Sequence, residues 1–350
     1  MKAPYRSSQD APPCLGILLI NVGTPAAPTP KAVRRYLAQF LSDPRVVELP
    51  RLPWWLILHG FVLRTRPRRS AEAYGKIWTP EGSPLLAIAK KQAAALQKAL
   101  DQRCAGPIKV VLAMRYGNPS IIAGLEQLRL TNTRRLLIFP LYPHYSATTT
   151  GSAFDAVVDV LKTWRWWPEL RTIIDYHDDE HYLQALVNQI QAAWTLHGRP
   201  ERVLFSFHGL PQDYVLAGDP YFYQCQKTAK IIADILKLHT DNWHIAFQSR
   251  FGPREWLSPY VEHVLHKWGK AGVESVNVVC PGFSSDCLET LEEIDIRSRR
   301  IFIDAGGKRF GYIPALNDSP AHIDALASLV MKHAQAWPES LEVRNAGHGS

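Results

Sequence analysis

The stretch Val203–Tyr221, VLFSFHGLPQDYVLAGDPY, begins with the apolar run Val203-Leu204-Phe205 and stops at His208-Gly209, with Pro211 just beyond. A short apolar run closed by Gly and Pro predicts a buried strand followed by a turn. His208 then falls at the carboxyl end of a strand, where open α/β sheets place their ligand crevice. Position alone also suits a structural histidine. A second stretch sharpens the choice: Gly282–Asp295, GFSSDCLETLEEID. It follows the apolar run Val276–Val279 and the stop Pro281-Gly282, then opens a helix rich in acids: Asp286, Glu289, Glu292, Glu293 and Asp295. Asp286, Glu289 and Glu293 recur at helical spacing on one face, and Cys287, Leu288, Leu291 and Ile294 form the apolar side. The helix dipole favours one acid at the start, so Asp286 can be a cap. It does not favour a row running on from there, where like charges repel by roughly 0.2–0.5 kcal/mol per pair. Carboxylates at one strand end and an imidazole at another predict a cation site or an acid–base pair. The competing interpretation is a solvated acidic face.

The chain of 350 residues is long enough for two domains and a full core. A hydrophobic content of 46% with 21% charged residues is that of a soluble globular protein. The net charge of +8 suits an anionic partner, such as a membrane surface or a carboxylated ligand. No long Lys/Arg stripe points to nucleic acid. Five cysteines, Cys14, Cys104, Cys225, Cys280 and Cys287, are scattered without metal-ligand spacing or a disulfide framework. A reducing compartment, the cytoplasm, is expected. No targeting signal precedes Leu15, and no stretch approaches the ~20 apolar residues needed to span a bilayer.

In chain order, residues 1–13 are polar and Pro-rich and are expected to be disordered. Gly16–Val22 is a strand ended by Gly23-Thr24-Pro25, and Thr29-Pro30 caps and starts a helix. Leu49–Arg69 carries Trp54, Trp55, Leu56, Ile57, Leu58, Phe61, Val62 and Leu63 with arginines alongside. That composition suits a membrane interface, or a lid over a site. Ser83–Leu100 is an amphipathic helix, Ile108–Ala113 and Leu136–Phe139 are strands, and Ser152–Thr163 is a helix. Trp164–Leu170 is taken as the interdomain connection. The second half echoes the first. ILLINVGTP from Ile17 aligns with VLFSFHGLP from Val203, Arg115-Tyr116-Gly117 with Arg250-Phe251-Gly252, and PHYSATTT from Pro143 with PGFSSDCL from Pro281. Two similar α/β, Rossmann-like domains are expected, each a parallel sheet flanked by helices, facing across a cleft: residues 14–170 and 171–336. The last helix, Pro320–Ala336, is expected to pack across both, with residues 337–350 as a disordered tail.

Four stretches resemble ferrochelatase, the family that inserts ferrous iron into protoporphyrin. They are Gly16–Pro50 (GILLINVGTPAAPTPKAVRRYLAQFLSDPRVVELP), Ser206–Tyr221, Phe247–Tyr260 (FQSRFGPREWLSPY) and Gly282–Asp295. Matching sequence runs from about Gly16 to about Ala336, and Cys before Leu-Glu-Thr-Leu is similar to the proteobacterial form. The resemblance implies a lyase of haem biosynthesis in a two-lobed chelatase-like fold, with protoporphyrin IX and ferrous iron as substrates. It implies a helix with π-type widening, and a location in the cytoplasm or peripheral to the inner membrane. It assigns His208 as proton acceptor and metal contact and Glu289 as metal ligand, with Asp286 and Glu293 as a path for the metal. It maps porphyrin contacts onto Tyr74, Ser83, Arg115, Tyr116 and Trp256, with Ser83 and Arg115 meeting propionates. Some members carry an iron–sulfur cluster on C-terminal cysteines. No cysteine follows Cys287, so neither a cluster nor another prosthetic group is expected.

Metal insertion must bend the macrocycle and remove two pyrrole protons while the metal sheds water. Binding energy from the ring drives the first, and an imidazole near its own pKa serves the second. Imidazole and carboxylate together suit ferrous iron. The rival expectations are a chelatase for coproporphyrin or for cobalt and a corrin precursor, and a two-lobed module that binds haem or a siderophore.

Overall fold

The computed structural model describes residues 12–341. Eight strands form its sheets: β1 Cys14–Gly23, β2 Ile108–Tyr116, β3 Thr133–Pro140, β4 Glu169–Thr172, β5 Arg202–His208, β6 Trp243–Gln248, β7 Ser275–Val279 and β8 Arg309–Ile313. In the first half the helices are α1 Pro30–Leu41, α2 Arg51–Ile57, α3 Leu63–Ile77, α4 Pro84–Arg103, α5 Ile121–Leu130 and α6 Ser152–Leu161. The second half adds α7 Glu180–His197, α8 Gln212–Leu216, α9 Tyr221–Ile235, α10 Val261–Lys270, α11 Arg299–Asp304 and α12 Pro320–His333. Three stretches wind as π-helix: Leu58–Val62, Ala147–Gly151 and Glu289–Ser298. No helix among the described residues is long and apolar enough to cross a membrane.

Two parallel four-stranded sheets result, in the orders β2-β1-β3-β4 and β6-β5-β7-β8. Each strand of the first has its counterpart at the same place in the second, so the faint repeat in sequence is a repeat in topology. The likeness extends to detail: a bridge ties β2 to Ser120 just past its end, and another ties β6 to Tyr260. A π-wound segment follows the third strand of both sheets. In this order the chain reverses between β1 and β3, and between β5 and β7, and a crevice opens at such a point beyond the carboxyl ends.

Strand alternation builds the cores. Leu18 and Ile20 of β1 face α5 and α6, whereas Leu15, Ile17 and Leu19 face the opposite way. In the second sheet Leu204 faces the α10 side and Val203, Phe205 and Phe207 the other. Those other faces, with α4, α7, α9 and α12, share one continuous buried cluster that runs through both halves. α12 packs on both α4 and α7.

Three expectations need correction. The boundary drawn after Leu170 falls inside β4, which pairs with β3 from Arg135 to Ile138. Trp164 packs on the first core, so Trp164–Leu170 belongs to the first sheet and the crossing comes after Thr172. Residues from Trp337 are not all tail. Trp337 is 2% exposed and its indole N–H donates to Glu169 at 2.7 Å. The Gly106 and Ala105 amides donate to the carbonyls of Glu339 (3.1 Å) and Leu341 (2.8 Å). Arg135 pairs with the buried Glu339 at 2.6 Å. Residues 1–11 and 342–350, expected to be disordered, lie outside the described residues.

Candidate active site

β5 delivers His208 to the mouth of the crevice, half-buried. Its Nδ1 lies 2.6 Å from the Gly209 carbonyl oxygen. A carbonyl only accepts, so Nδ1 carries a proton, and in the neutral ring Nε2 is the acceptor. The next residue must be glycine. A Cβ on Gly209 would stand 2.7 Å from the Gln248 carbonyl oxygen and 3.1 Å from the Trp256 ring. Trp256 therefore lies against the backbone beside His208, and its indole N–H is buried without a partner among the described residues.

Gln248, at the end of β6, ties the histidine strand to the acidic helix. Its carbonyl accepts the Gly209 N–H at 2.7 Å, and its amide donates to the Glu289 carbonyl at 2.7 Å. The Ser206 hydroxyl donates to the amide oxygen at 2.5 Å.

The acids divide into three different environments. Asp286 does not join a helical row, because the helix starts at Leu288 and Asp286 precedes it. Its carboxylate is buried and accepts from Thr290 (2.9 Å), Tyr312 (2.5 Å), Asn317 (2.8 Å) and the Ala315 N–H (3.3 Å). Three of these bonds go to Oδ1 and one to Oδ2, and together they tie Asp286 to the helix start. Glu293 accepts from the Ser249 N–H at 2.7 Å and the Ser249 hydroxyl at 2.6 Å, with Arg297 4.0 Å away. Burial outweighs these partners and raises its pKa. Glu292 faces away, held by Lys76 at 2.9 Å and Arg297 at 3.1 Å, which keep it ionised against the cost of burial. Glu289 takes part in no ion pair among the described residues, and its neighbour is the buried Cys287 thiol, whose pKa is raised by burial and then by the Glu289 charge. Burial raises the Tyr74 and Tyr36 pKa values too, with the Glu289 charge adding to both, so these two phenols stand on the first-half side of that carboxylate.

The first-half residues expected to hold porphyrin are mostly engaged with protein. Arg115 donates from Nε to the Ser152 hydroxyl (2.7 Å) and carbonyl (2.9 Å) and pairs through Nη2 with Asp43. The Tyr116 and Ser152 hydroxyls donate to the same Asp43 oxygen at 2.8 and 2.6 Å. Burial would raise the Asp43 pKa, but Ser152, the Arg45 N–H, Tyr116 and Arg115 together hold it below its ordinary value. Ser83 is buried and accepts from the Thr24 hydroxyl at 2.8 Å. Tyr74 is buried against Val33 and Leu288 and meets Trp78 edge-on. Asp43, Ser152, Ser249 and Tyr36 had no signal in the sequence. Each matters through a partner remote in the chain.

A second group of ligand-type side chains, Asp175, His177 and Asp178, lies on the connection into α7, with the His177 ring 5.9 Å from that of His144. It is already satisfied: Asp178 holds the Lys227 ammonium at 2.5 Å, and Asp175 accepts from Gln224 at 3.2 Å.

Comparisons with known proteins agree with one another. The family profile described as Ferrochelatase matches residues 14–334. A ferrochelatase of Nitrosococcus oceani is 57% identical over 93% of this chain and 88% of its own. One from Thioalkalivibrio sulfidiphilus is 55% identical over 94% of this chain and 89% of its own. Among solved structures, the sirohydrochlorin chelatase SirB from Bacillus subtilis subspecies spizizenii, in complex with cobalt, superposes with a TM-score of 0.54. It covers 94% of this chain and 98% of that one at 12% identity, a likeness of fold alone. With the family profile spanning both sheets and close relatives covering nine-tenths of the chain, the chain belongs to the ferrochelatase family.

Proposed function

We propose that the protein inserts ferrous iron into protoporphyrin IX to make protohaem, releasing two protons. Membership of the ferrochelatase family makes it a lyase acting on a tetrapyrrole. The observation that carries the assignment of residues is the link His208–Gly209–Gln248–Glu289. It sets a bare imidazole nitrogen and the one acid of the helix without an ion pair on two sides of a single glutamine. In this assignment Nε2 of His208 accepts a pyrrole proton as the N–H bond breaks, and the electron pair left on the pyrrole nitrogen is then on hand for the incoming metal. Glu289 supplies a carboxylate oxygen to iron as water leaves. Tyr74, Tyr116 and Trp256 offer aromatic surface to the ring. Arg115, committed to Asp43, holds the wall that a propionate would meet. Glu293 and Asp286 serve as anchors of the helix, not as stepping stones.

The helical segment Arg51–Ile77 is proposed to rest on the membrane surface at the cytoplasmic face. Support comes from Leu52, Trp55, Leu56, Ile57 and Phe61, all exposed on one short stretch, with Arg64, Arg68 and Arg69 next along the chain. No iron–sulfur cluster is proposed, since the five cysteines are buried and dispersed along the chain.

The test is anaerobic turnover with protoporphyrin and ferrous iron, followed by the Soret band, with coproporphyrin and cobalt run alongside. Catalytic conversion of protoporphyrin is expected. Stoichiometric binding without conversion would make the protein a binding module, and turnover of coproporphyrin alone would move the substrate.

A further inference from the structure

Gln92 is a polar residue in the core. It lies on α4, in the first half of the chain, and is 0% exposed. No described residue of the first half bonds its amide. Nε2 donates to the carbonyls of Ser284 and Asn317, both at 2.9 Å, and Oε1 accepts from the Ser285 hydroxyl at 2.9 Å. Both N–H donors and one of the two lone pairs of the amide oxygen are used, all by one loop and one turn of the second half. Both lead to Asp286. Ser284 and Ser285 immediately precede it. Asn317, held at a positive φ of 50°, donates to its carboxylate and accepts its N–H, each at 2.8 Å. Asp286 in turn receives the Thr290 hydroxyl at 2.9 Å, and that hydroxyl accepts the Cys287 N–H at 3.0 Å. Glu289 lies between Cys287 and Thr290.

We propose that Gln92 is a positioning residue for metal insertion: from the first half of the chain it fixes the 284–286 loop and Asn317, and through Asp286 and Thr290 it sets where Glu289 stands. The proposal rests on Glu289 as the metal ligand. Supporting groups one step behind a metal ligand orient it, and losing one costs on the order of 10- to 100-fold in metal affinity or activity. An apolar residue of the same volume would fill the space on α4 equally well and hold nothing. The Ser284 carbonyl would keep only the Asn317 N–H (3.1 Å) and the Asn317 carbonyl only the His322 Nδ1–H (2.6 Å), so loop and turn would be held from the second half alone.

The experiment compares four variants of the full chain: Gln92→Met, Ser285→Ala, Leu96→Ala and Glu289→Gln. Leu96 lies one turn along α4, fully buried, with no part in the loop. The measurements are the iron KM and kcat, porphyrin affinity by fluorescence, and Tm. Gln92→Met should raise the iron KM roughly 10-fold with porphyrin affinity within about twofold. Ser285→Ala, which removes one bond of the three, should shift the iron KM in the same direction by a smaller factor. It stands in if Gln92→Met does not fold. Leu96→Ala should lower Tm and leave the iron KM alone. The proposal is overturned if Gln92→Met and Ser285→Ala keep the wild-type iron KM, or if Leu96→Ala moves it equally. If Glu289→Gln itself uses iron normally, the ligand assignment has failed, whatever Gln92 does.

Discussion

The His208 imidazole is oriented before any substrate arrives, since its Nδ1–H is held by the Gly209 carbonyl and protonation at Nε2 asks for no backbone movement. Replacing it by Ala should lower kcat by roughly 10²-fold or more, the scale of a positioned acid or base. Porphyrin affinity should remain, because the ring is held by other residues. Glu289→Gln should impair iron use more than porphyrin binding. The double variant should lose much less than the product of the two, as expected of groups serving one event. Near-normal turnover by His208→Ala would return that residue to a structural role. Two other histidines make a pH prediction. Burial lowers His144 from 6.5 to about 3, with His177 adding to it, and burial lowers His322 from 6.5 to about 4. Each is neutral when folded and takes up a proton when unfolded below pH 6.5. Stability is therefore full above that value and falls as pH drops toward 4, by roughly 1.4 kcal/mol per pH unit for each group. Urea midpoints across pH 7.5–4 should show this slope, and His144→Gln should lose one proton's share of it. An unchanged slope would mean that His144 titrates normally. His208 was readable because Gly and Pro mark a strand end. Asp286 was placed in the wrong company because a 3.6-residue period was assumed from a point where no helix had yet begun. Asp43 and Ser249 act through partners that no local pattern reveals.

At the level of elements, Leu49–Arg69 shows what a sequence window can and cannot resolve. Its apolar content was plain, but α2 ends at Ile57 and a π-wound turn carries the chain into α3, which resets which side chains face inward. Trp54 is inside, 7% exposed, with its N–H donating to the Leu41 carbonyl at 2.7 Å. Trp55 and Phe61 are outside, 54% and 66% exposed. A membrane test must therefore spare Trp54, whose removal would cost about 3–5 kcal/mol of stability. A Trp55→Ser, Phe61→Ser variant should keep its Tm and float less with anionic vesicles than the wild type. Salt should weaken flotation, because exposed charges are screened within about 10 Å at 0.1 M. Equal flotation of the two proteins would leave this segment as a lid. By contrast α1 was legible to the residue: the Thr29 hydroxyl accepts the Ala32 N–H at 3.3 Å and Pro30 opens the first turn.

For the whole molecule, the repeat predicted two like sheets and the topology has them, because strand-ending Gly and Pro are local signals that survive in both halves. The closure at the C-terminal end was not legible, since Trp337–Leu341 looks polar and short, and its partners Ala105, Gly106, Arg135 and Glu169 are remote. With one buried cluster running through both halves, unfolding should be a single cooperative transition in urea. Trp337→Ala should move that transition by about 3–5 kcal/mol without splitting it. Two separate transitions would show that the halves stand alone.

That shared cluster has a consequence for how the protein is made. α4 is made about 200 residues before α12, which covers it. At roughly 5–20 residues per second the wait exceeds ten seconds. During synthesis the inner face of α4, Gln92, Leu96 and Leu100 included, is open to whatever else is nearby. Ribosome-bound chains truncated before Pro320 should therefore bind a holding chaperone more than chains that include α12, and equal binding would show that this face is covered by other means.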